Sequence, residues 1–189
     1  FAALRADGSV VTWGNKKWGG DSSAVTSNIN GSIPVVKIFT NGYSFAALRA
    51  DGSVVTWGEA ASGGNSGVVA NKLDGRVDVL SITGSGGAYA AIRADGSVVT
   101  WGDSYNGGDS SKVDAQLNGS IKVLSIYSNW AGFTAIRSDG SAVSWGQYDY
   151  MSPETAKKLN GDIDVVKIYS NEQSWAALRA DGSVVSWGG

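Results

Sequence analysis

Carboxylates beside glycine, arginines beside those carboxylates, and aromatic rings in short polar loops are the side chains whose types and spacing offer chemistry. Asp7, Asp51, Asp95, Asp139 and Asp181 each precede Gly-Ser. A calcium loop gathers several oxygen ligands within a few residues. One carboxylate per turn is too few, and these aspartates read as parts of tight turns. The Gly-Gly-Asp-Ser-Ser segments at 19–23 and 107–111 become Gly-Gly-Asn-Ser-Gly at 63–67 and have no counterpart in the fourth unit, which a repeated metal site would hardly tolerate. Glu59, Asp103, Asp149 and Glu172 stand singly in loops. Glycoside hydrolysis needs two facing carboxylates, and no pair stands out from the repeat, so a carboxylate-based glycosidase is the weakest reading. The chain has no His and no Cys. That removes thiol nucleophiles, disulfides, Cys/His zinc sites and His-dependent triads. No catalytic residue, metal or cofactor is expected, and the chain is read as a non-enzyme.

Arg5, Arg49, Arg93, Arg137 and Arg179 recur beside the turn aspartates. They offer either a ring of anion sites or a set of Arg–Asp contacts stapling neighbouring hairpins, Arg5 to Asp51 and onward. The staple is favoured, because every Arg has an equally recurrent carboxylate close by. Trp13, Trp57, Trp101, Trp145 and Trp187 hold one repeat position. They read as core rather than as sugar-stacking platforms, since large aromatics dominate such interiors.

The elements behind these residues are five copies of a 14-residue hairpin, FAALRADGSVVTWG and its variants, starting at residues 1, 45, 89, 133 and 175. Periods of 44, 44, 44 and 42 residues belong to arrays, solenoids and propellers. Asp-Gly between β-prone runs predicts a two-residue type I′ turn. That turn would pair Leu4 with Val11 and Ala2 with Trp13, placing Ala2, Leu4, Val11 and Trp13 on one face. Phe1, Ala3, Arg5, Val10 and Thr12 would share the other. Both faces are then largely apolar, which favours sheets stacked on both sides. Residues 35–40, 79–84, 123–128 and 165–170 predict a further strand per unit, preceded by a short helical segment such as 109–119.

Strand, strand, Asp-Gly turn, then a strand ending in Trp-Gly resembles the regulator-of-chromosome-condensation type repeat. The likeness is closest where Phe45–Gly58 follows Val35–Phe39, and Trp18-Gly19-Gly20 is similar to the glycine-containing link of that family. The bacterial branch that includes the secreted β-lactamase inhibitor propeller resembles the chain more strongly. The resemblance covers essentially the whole chain. It implies an all-β fold, a β-propeller of three- to four-stranded antiparallel blades with about five blades visible, acting as a protein-binding platform. An open β-repeat array is the alternative. Residues 1–189 form one repeat domain, either a ring closing at five or a piece of a longer repeat protein.

Chain direction puts the loops at 41–44 and after Gly58 at the same end, opposite the Asp-Gly turns. These loops differ most between copies, and they carry the aromatics outside the repeat positions: Trp18, Tyr43, Tyr105, Trp130, Tyr148 and Tyr150. Loops on a rigid scaffold commonly carry function, and Tyr and Trp are favoured anchors. These six are the expected ligand-binding residues. The expected partner is a protein or glycan, with self-association through open blade edges as a further possibility. The alternative function is a structural spacer in a large bacterial surface or adhesin-like protein. The charge of −2 with no basic run beyond Lys16-Lys17 argues against nucleic acid. No apolar run reaches the ~18 residues a membrane helix needs. The location expected is extracellular or the bacterial cell surface.

Overall fold

Each hairpin turns one residue differently from the type I′ expectation. Gly8 N–H donates to Arg5 C=O at 3.0 Å and Arg5 N–H to Ser9 C=O at 2.8 Å. Among the described residues no non-glycine has a positive φ, whereas Gly8, Gly52, Gly96, Gly140 and Gly182 lie near +80°. This is a type I turn followed by a left-handed glycine, the three-residue hairpin loop. The aspartate stays right-handed and uses its carboxylate instead: Asp7 Oδ1 accepts from Ser9 N–H at 2.9 Å and Ser9 Oγ–H at 2.6 Å. Lengthening the loop by one residue moves every pairing to the other face. Leu4 therefore pairs with Val10 and Ala3 with Val11, while Phe1 stacks on Trp13.

The computed structural model describes residues 1–147 and 151–189. It contains one two-stranded sheet, β1 (Ala2–Leu4) and β2 (Val10–Thr12), and four three-stranded antiparallel sheets. The second sheet is β3 (Val35–Thr40), β4 (Ser44–Arg49) and β5 (Val54–Gly58). The third is β6 (Val79–Gly84), β7 (Ala88–Arg93) and β8 (Val98–Gly102). The fourth is β9 (Val123–Ser128), β10 (Gly132–Arg137) and β11 (Ala142–Gly146). The fifth is β12 (Val165–Ser170), β13 (Ser174–Arg179) and β14 (Val184–Gly188). Each of these four is a three-stranded meander, the blade of a β-propeller. The first strands lie side by side, β3 by β6, β6 by β9 and β9 by β12.

The corrected register explains why the blades stack. One face of each sheet carries an aromatic pair flanked by Ala and Val, as in Tyr89, Ala91, Val99 and Trp101. The opposite face of the preceding sheet offers Ala46, Leu48 and Val54, and the two sets form one buried cluster. The short helical segments (Ser23–Asn28, Gly67–Lys72, Ser111–Leu117 and Pro153–Lys158) run up to Ile29, Leu73, Leu117 and Leu159, all buried. Single helical turns are not stable alone; these are pinned by that apolar residue. Backbone bonds complete each joint: Val35, Val79, Val123 and Val165 N–H donate to Gly8, Gly52, Gly96 and Gly140 C=O.

The arginine staple is within a hairpin, not between hairpins. Arg49 Nε donates to Ser53 Oγ at 2.8 Å, and Ser53 Oγ–H to Asp51 Oδ1. Arg93, Arg137 and Arg179 repeat the pattern through Ser97, Ser141 and Ser183. The first and last of these five sheets each have one face not covered by another of them. Trp13 is 50 % exposed where Trp101 is 1 % exposed, and on the last sheet Val184 is 63 % exposed.

Candidate functional site

The strand-end loops are built by side chains that cap the backbone. Asn41 Oδ1 accepts from the N–H groups of Tyr43 and Ser44, both at 3.1 Å, and its Nδ2 donates to Ser62 C=O at 2.7 Å. Asn129 Oδ1 accepts from Ala131 and Gly132, and Asn171 Oδ1 from Gln173 and Ser174. In the third sheet Ser85 replaces Asn, and its hydroxyl donates to Asn106 C=O at 2.6 Å. Glu59, Asp103 and Gln147 N–H donate to Tyr43, Gly87 and Ala131 C=O, tying the two loop sets together. Both sets therefore lie at the end opposite the Asp-Gly turns.

Three predicted aromatics meet here. Trp18 and Tyr43 pack edge to face at 5.7 Å, and Tyr43 and Trp130 at 6.4 Å. Tyr43 and Trp130 belong to the second and fourth sheets, and the third lies between them. The contact exists because the third sheet's loop reads Ser85-Gly86-Gly87. A Cβ on Gly86 would lie 2.5 Å from Trp130 O and 2.8 Å from its Cδ2. With no side chain there, Trp130 lies back across the loop. Its carbonyl accepts from Gly86 N–H at 3.0 Å and from Asn106 Nδ2 at 2.8 Å. Trp130 is thus fixed at its backbone while 56 % of its surface stays exposed. Tyr105 is also exposed but stacks on none of the three; its own N–H is held by Asp103 Oδ1 at 2.7 Å. Tyr148 and Tyr150 lie outside the described residues.

Beside Trp130 is a cleft of about 400 Å³ lined by Asn41, Ser85, Asn129, Asn171 and Glu172. These amide and hydroxyl groups are the residues that reasoning from the sequence missed. Asn at 41, 129 and 171 at one repeat position was the available signal. The loop carboxylates are mostly committed elsewhere. Glu59 pairs with Lys17 at 3.0 Å, and that hydrogen bond, together with one from Ser62, holds its carboxyl below the usual range. Asp103 caps its own loop. Among the described loop carboxylates, Glu172 alone faces the cleft. One carboxylate, amides, hydroxyls and an exposed indole can hydrogen-bond and stack; they do not supply a facing acid and base. No cluster of three or more His, Cys, Asp or Glu suited to a metal occurs among the described residues.

Two further surfaces compete with this one. Grooves of about 410 and 480 Å³ lie between the third strand and the helical segment in the second and fourth units, bordered by Arg49 and Arg137. They are by-products of the repeat and use the arginines already bonded to serine. At the turn end the bulge in each first strand leaves Val36, Leu80, Leu124 and Val166 exposed at one repeat position.

No family model matches the chain, and no curated protein matches it. Solved structures do. Human WBSCR16 is 20 % identical, with a TM-score of 0.61 over 99 % of this chain and 58 % of its own. Prp20p from Saccharomyces cerevisiae is 18 % identical, with a TM-score of 0.56 over 82 % of this chain and 44 % of its own. The ectodomain of the Physcomitrella patens receptor kinase CR4 is 17 % identical, with a TM-score of 0.54 over 82 % of this chain and 39 % of its own. Prp20 is the yeast RCC1, whose crystal structure was also determined with Kap60. The likeness is one of fold, the β-propeller, and the chain spans between two-fifths and three-fifths of these structures.

Proposed function

We propose that this propeller is a non-catalytic recognition module that takes a polypeptide ligand at its loop end, with Trp18, Tyr43 and Trp130 as anchors. The observation that carries the reading is the Trp18–Tyr43–Trp130 row, three rings from three separate loops brought together over Gly86. Exposed, backbone-anchored aromatics beside polar side chains are the make-up of a protein-binding hot spot. The rings meet edge to face and form a ridge, which suits side chains of a peptide better than the flat face of a sugar. Among solved structures of this fold, Prp20p was described with its binding to Gsp1p and histones.

A glycan is the second reading, favoured by the exposed indole of Trp130 standing beside Asn41, Asn129, Asn171 and Glu172. Either ligand fits an extracellular or bacterial cell-surface setting. A spacer role predicts no ligand at this end.

A displayed random-peptide library panned against the chain, with a glycan array as the parallel arm, tests the reading. Peptides enriched by the wild type and lost in the Trp18→Ala/Trp130→Ala double variant are the expected result. Glycan hits in place of peptides would establish the second reading. Enrichment that survives the double variant but disappears in Leu80→Ser/Leu124→Ser would move the site to the turn end and overturn both.

A further inference from the structure

The hydrogen-bonding groups around the Trp18–Tyr43–Trp130 row are unevenly spent. The amide oxygens are taken: Asn41 Oδ1 accepts from Tyr43 and Ser44 N–H, Asn129 Oδ1 from Ala131 and Gly132, and Asn171 Oδ1 from Gln173 and Ser174. Loop carbonyls are taken too. Trp130 C=O accepts from Gly86 N–H and Asn106 Nδ2, Tyr43 C=O from Glu59 N–H, and Ser62 C=O from Asn41 Nδ2 and Ser44 Oγ. The Glu59 carboxylate is held by Lys17 and Ser62, and that of Asp103 by the N–H groups of Tyr105 and Asn106. These loops keep their shape by consuming acceptors.

The rings present the opposite. An indole carries a donor and no acceptor, and Trp18 and Trp130 are both exposed. A ligand lying along the ridge meets ring faces and donors, with few acceptors for donors of its own. An ordinary extended peptide brings a backbone N–H at nearly every residue, and each one covered without an acceptor is costly. Glycan hydroxyls carry the same burden. A proline-rich segment does not: each proline offers a carbonyl and no N–H. Its polyproline II form exists before binding and suits aromatic-lined surfaces. The steps between ring centroids are 5.7 and 6.4 Å, each close to the rise of two polyproline II residues at ~3.1 Å per residue. The free carboxylate is Glu172, exposed and lining the cleft beside Trp130. It is placed to pair with a basic side chain past the end of a proline run.

Building on the recognition reading, we infer that the polypeptide taken at the loop end is a proline-rich segment in the polyproline II conformation. Its pyrrolidine rings pack between the aromatic rings and its carbonyls accept from the indoles. A Lys or Arg at one end pairs with Glu172 and fixes which way round the segment lies.

Two displayed libraries of ten-residue peptides, one with Pro-X-X-Pro fixed at the centre and one with Ala-X-X-Ala, test the inference on the full chain. The proline library should be enriched at least about tenfold over the alanine library, the fold-change for an N–H covered without an acceptor. Lys or Arg should accumulate on one flank only. Trp18→Ala/Trp130→Ala should lose the enrichment, and Glu172→Gln should keep the proline preference while losing the basic flank. In the most enriched peptide, N-methylglycine in place of a fixed proline also lacks the N–H and should bind better than alanine there, by isothermal titration calorimetry. Equal enrichment of the two libraries through Trp18 and Trp130 would overturn the inference and leave the recognition reading standing; enrichment of neither would overturn both. A proline preference that survives the double variant, or N-methylglycine binding no better than alanine, would overturn it as well. A basic flank that persists in Glu172→Gln would overturn the role given to that carboxylate.

Discussion

The turn end and the loop end of these blades use the same strands in opposite ways. At the turn end the Arg–Ser–Asp connection recurs in four copies with Nε–Oγ distances of 2.8–2.9 Å, and Ser53, Ser97 and Ser141 are buried. The aspartate–serine bonds there stay within each hairpin, and the first four turn glycines accept at C=O from the next unit. At the loop end the connecting backbone is held just as firmly, by Asn41, Ser85, Asn129 and Asn171, but the rings it presents differ from copy to copy. Faithful repetition marks scaffold because each joint makes the same demand. Divergence on a fixed backbone marks surface that is free to be specific. The recurring tryptophans and the loop tryptophans are one residue type under these two regimes.

The largest effect separates Trp101 from Trp130. Trp101 is 1 % exposed, stacks on Tyr89 at 5.3 Å and donates its indole proton to Gly63. Trp101→Ala should cost about 3–5 kcal/mol. Trp130→Ala should change stability by less than about 0.5 kcal/mol, while removing peptide capture. Urea unfolding of both variants gives the contrast directly. Comparable losses from the two would show that the loop aromatics are core after all.

A smaller effect tests the turn network. Asp95→Ala leaves Ser97 N–H and its hydroxyl without their acceptor and should cost about 1–2 kcal/mol. The same carboxylate gives the scaffold a dependence on acid. The hydrogen bond from the Ser97 hydroxyl, opposed by desolvation and helped by the Ser97 N–H and by Arg93, holds Asp95 below the usual carboxylate range. A carboxyl depressed in the folded state contributes stability above its unfolded pKa of about 3.9, and that stability is lost as pH falls below it. Unfolding midpoints should therefore drop on acidification through that range, and less steeply in Asp95→Asn. A midpoint equally steep in Asp95→Asn would remove the turn network as the cause.

Strand positions and loop placement were legible because a 44-residue repeat states them several times over. Hairpin register was not. Asp-Gly serves both a two-residue turn and a three-residue turn with its glycine left-handed, and only the backbone shows that Asp7 keeps a negative φ. That one residue decides whether Trp13 faces Ala2 or stacks on Phe1. The arginine contacts were misassigned for a related reason: Asp is two residues away along the chain, but the buried Ser is the bridge. At the loop end, the aromatics could be named from the sequence. Their meeting could not, since Tyr43 and Trp130 touch only because an intervening sheet has no side chain at Gly86.

That glycine gives the sharpest test of the loop end. Gly86 is not among the positive-φ glycines, so a side chain there meets no backbone strain and acts only through the space it takes. In Gly86→Val the new Cβ would overlap Trp130 O and its ring, and the indole must lift from the loop and leave Tyr43. The bonds that Gly86 N–H and Asn106 Nδ2 make to that carbonyl would be stretched or lost, and Gly86 is buried. The atom met first is a backbone carbonyl, so the loop must shift, and stability should fall by about 1–3 kcal/mol. Near-ultraviolet circular dichroism should lose the signal of the coupled rings, and peptide capture should fall as far as it does in Trp130→Ala, with all three anchors still present. Capture that persists in Gly86→Val would mean that Trp130 binds as a lone exposed indole. Recognition would then rest on single loops rather than on their convergence, and the loop end would differ from the turn end in sequence only.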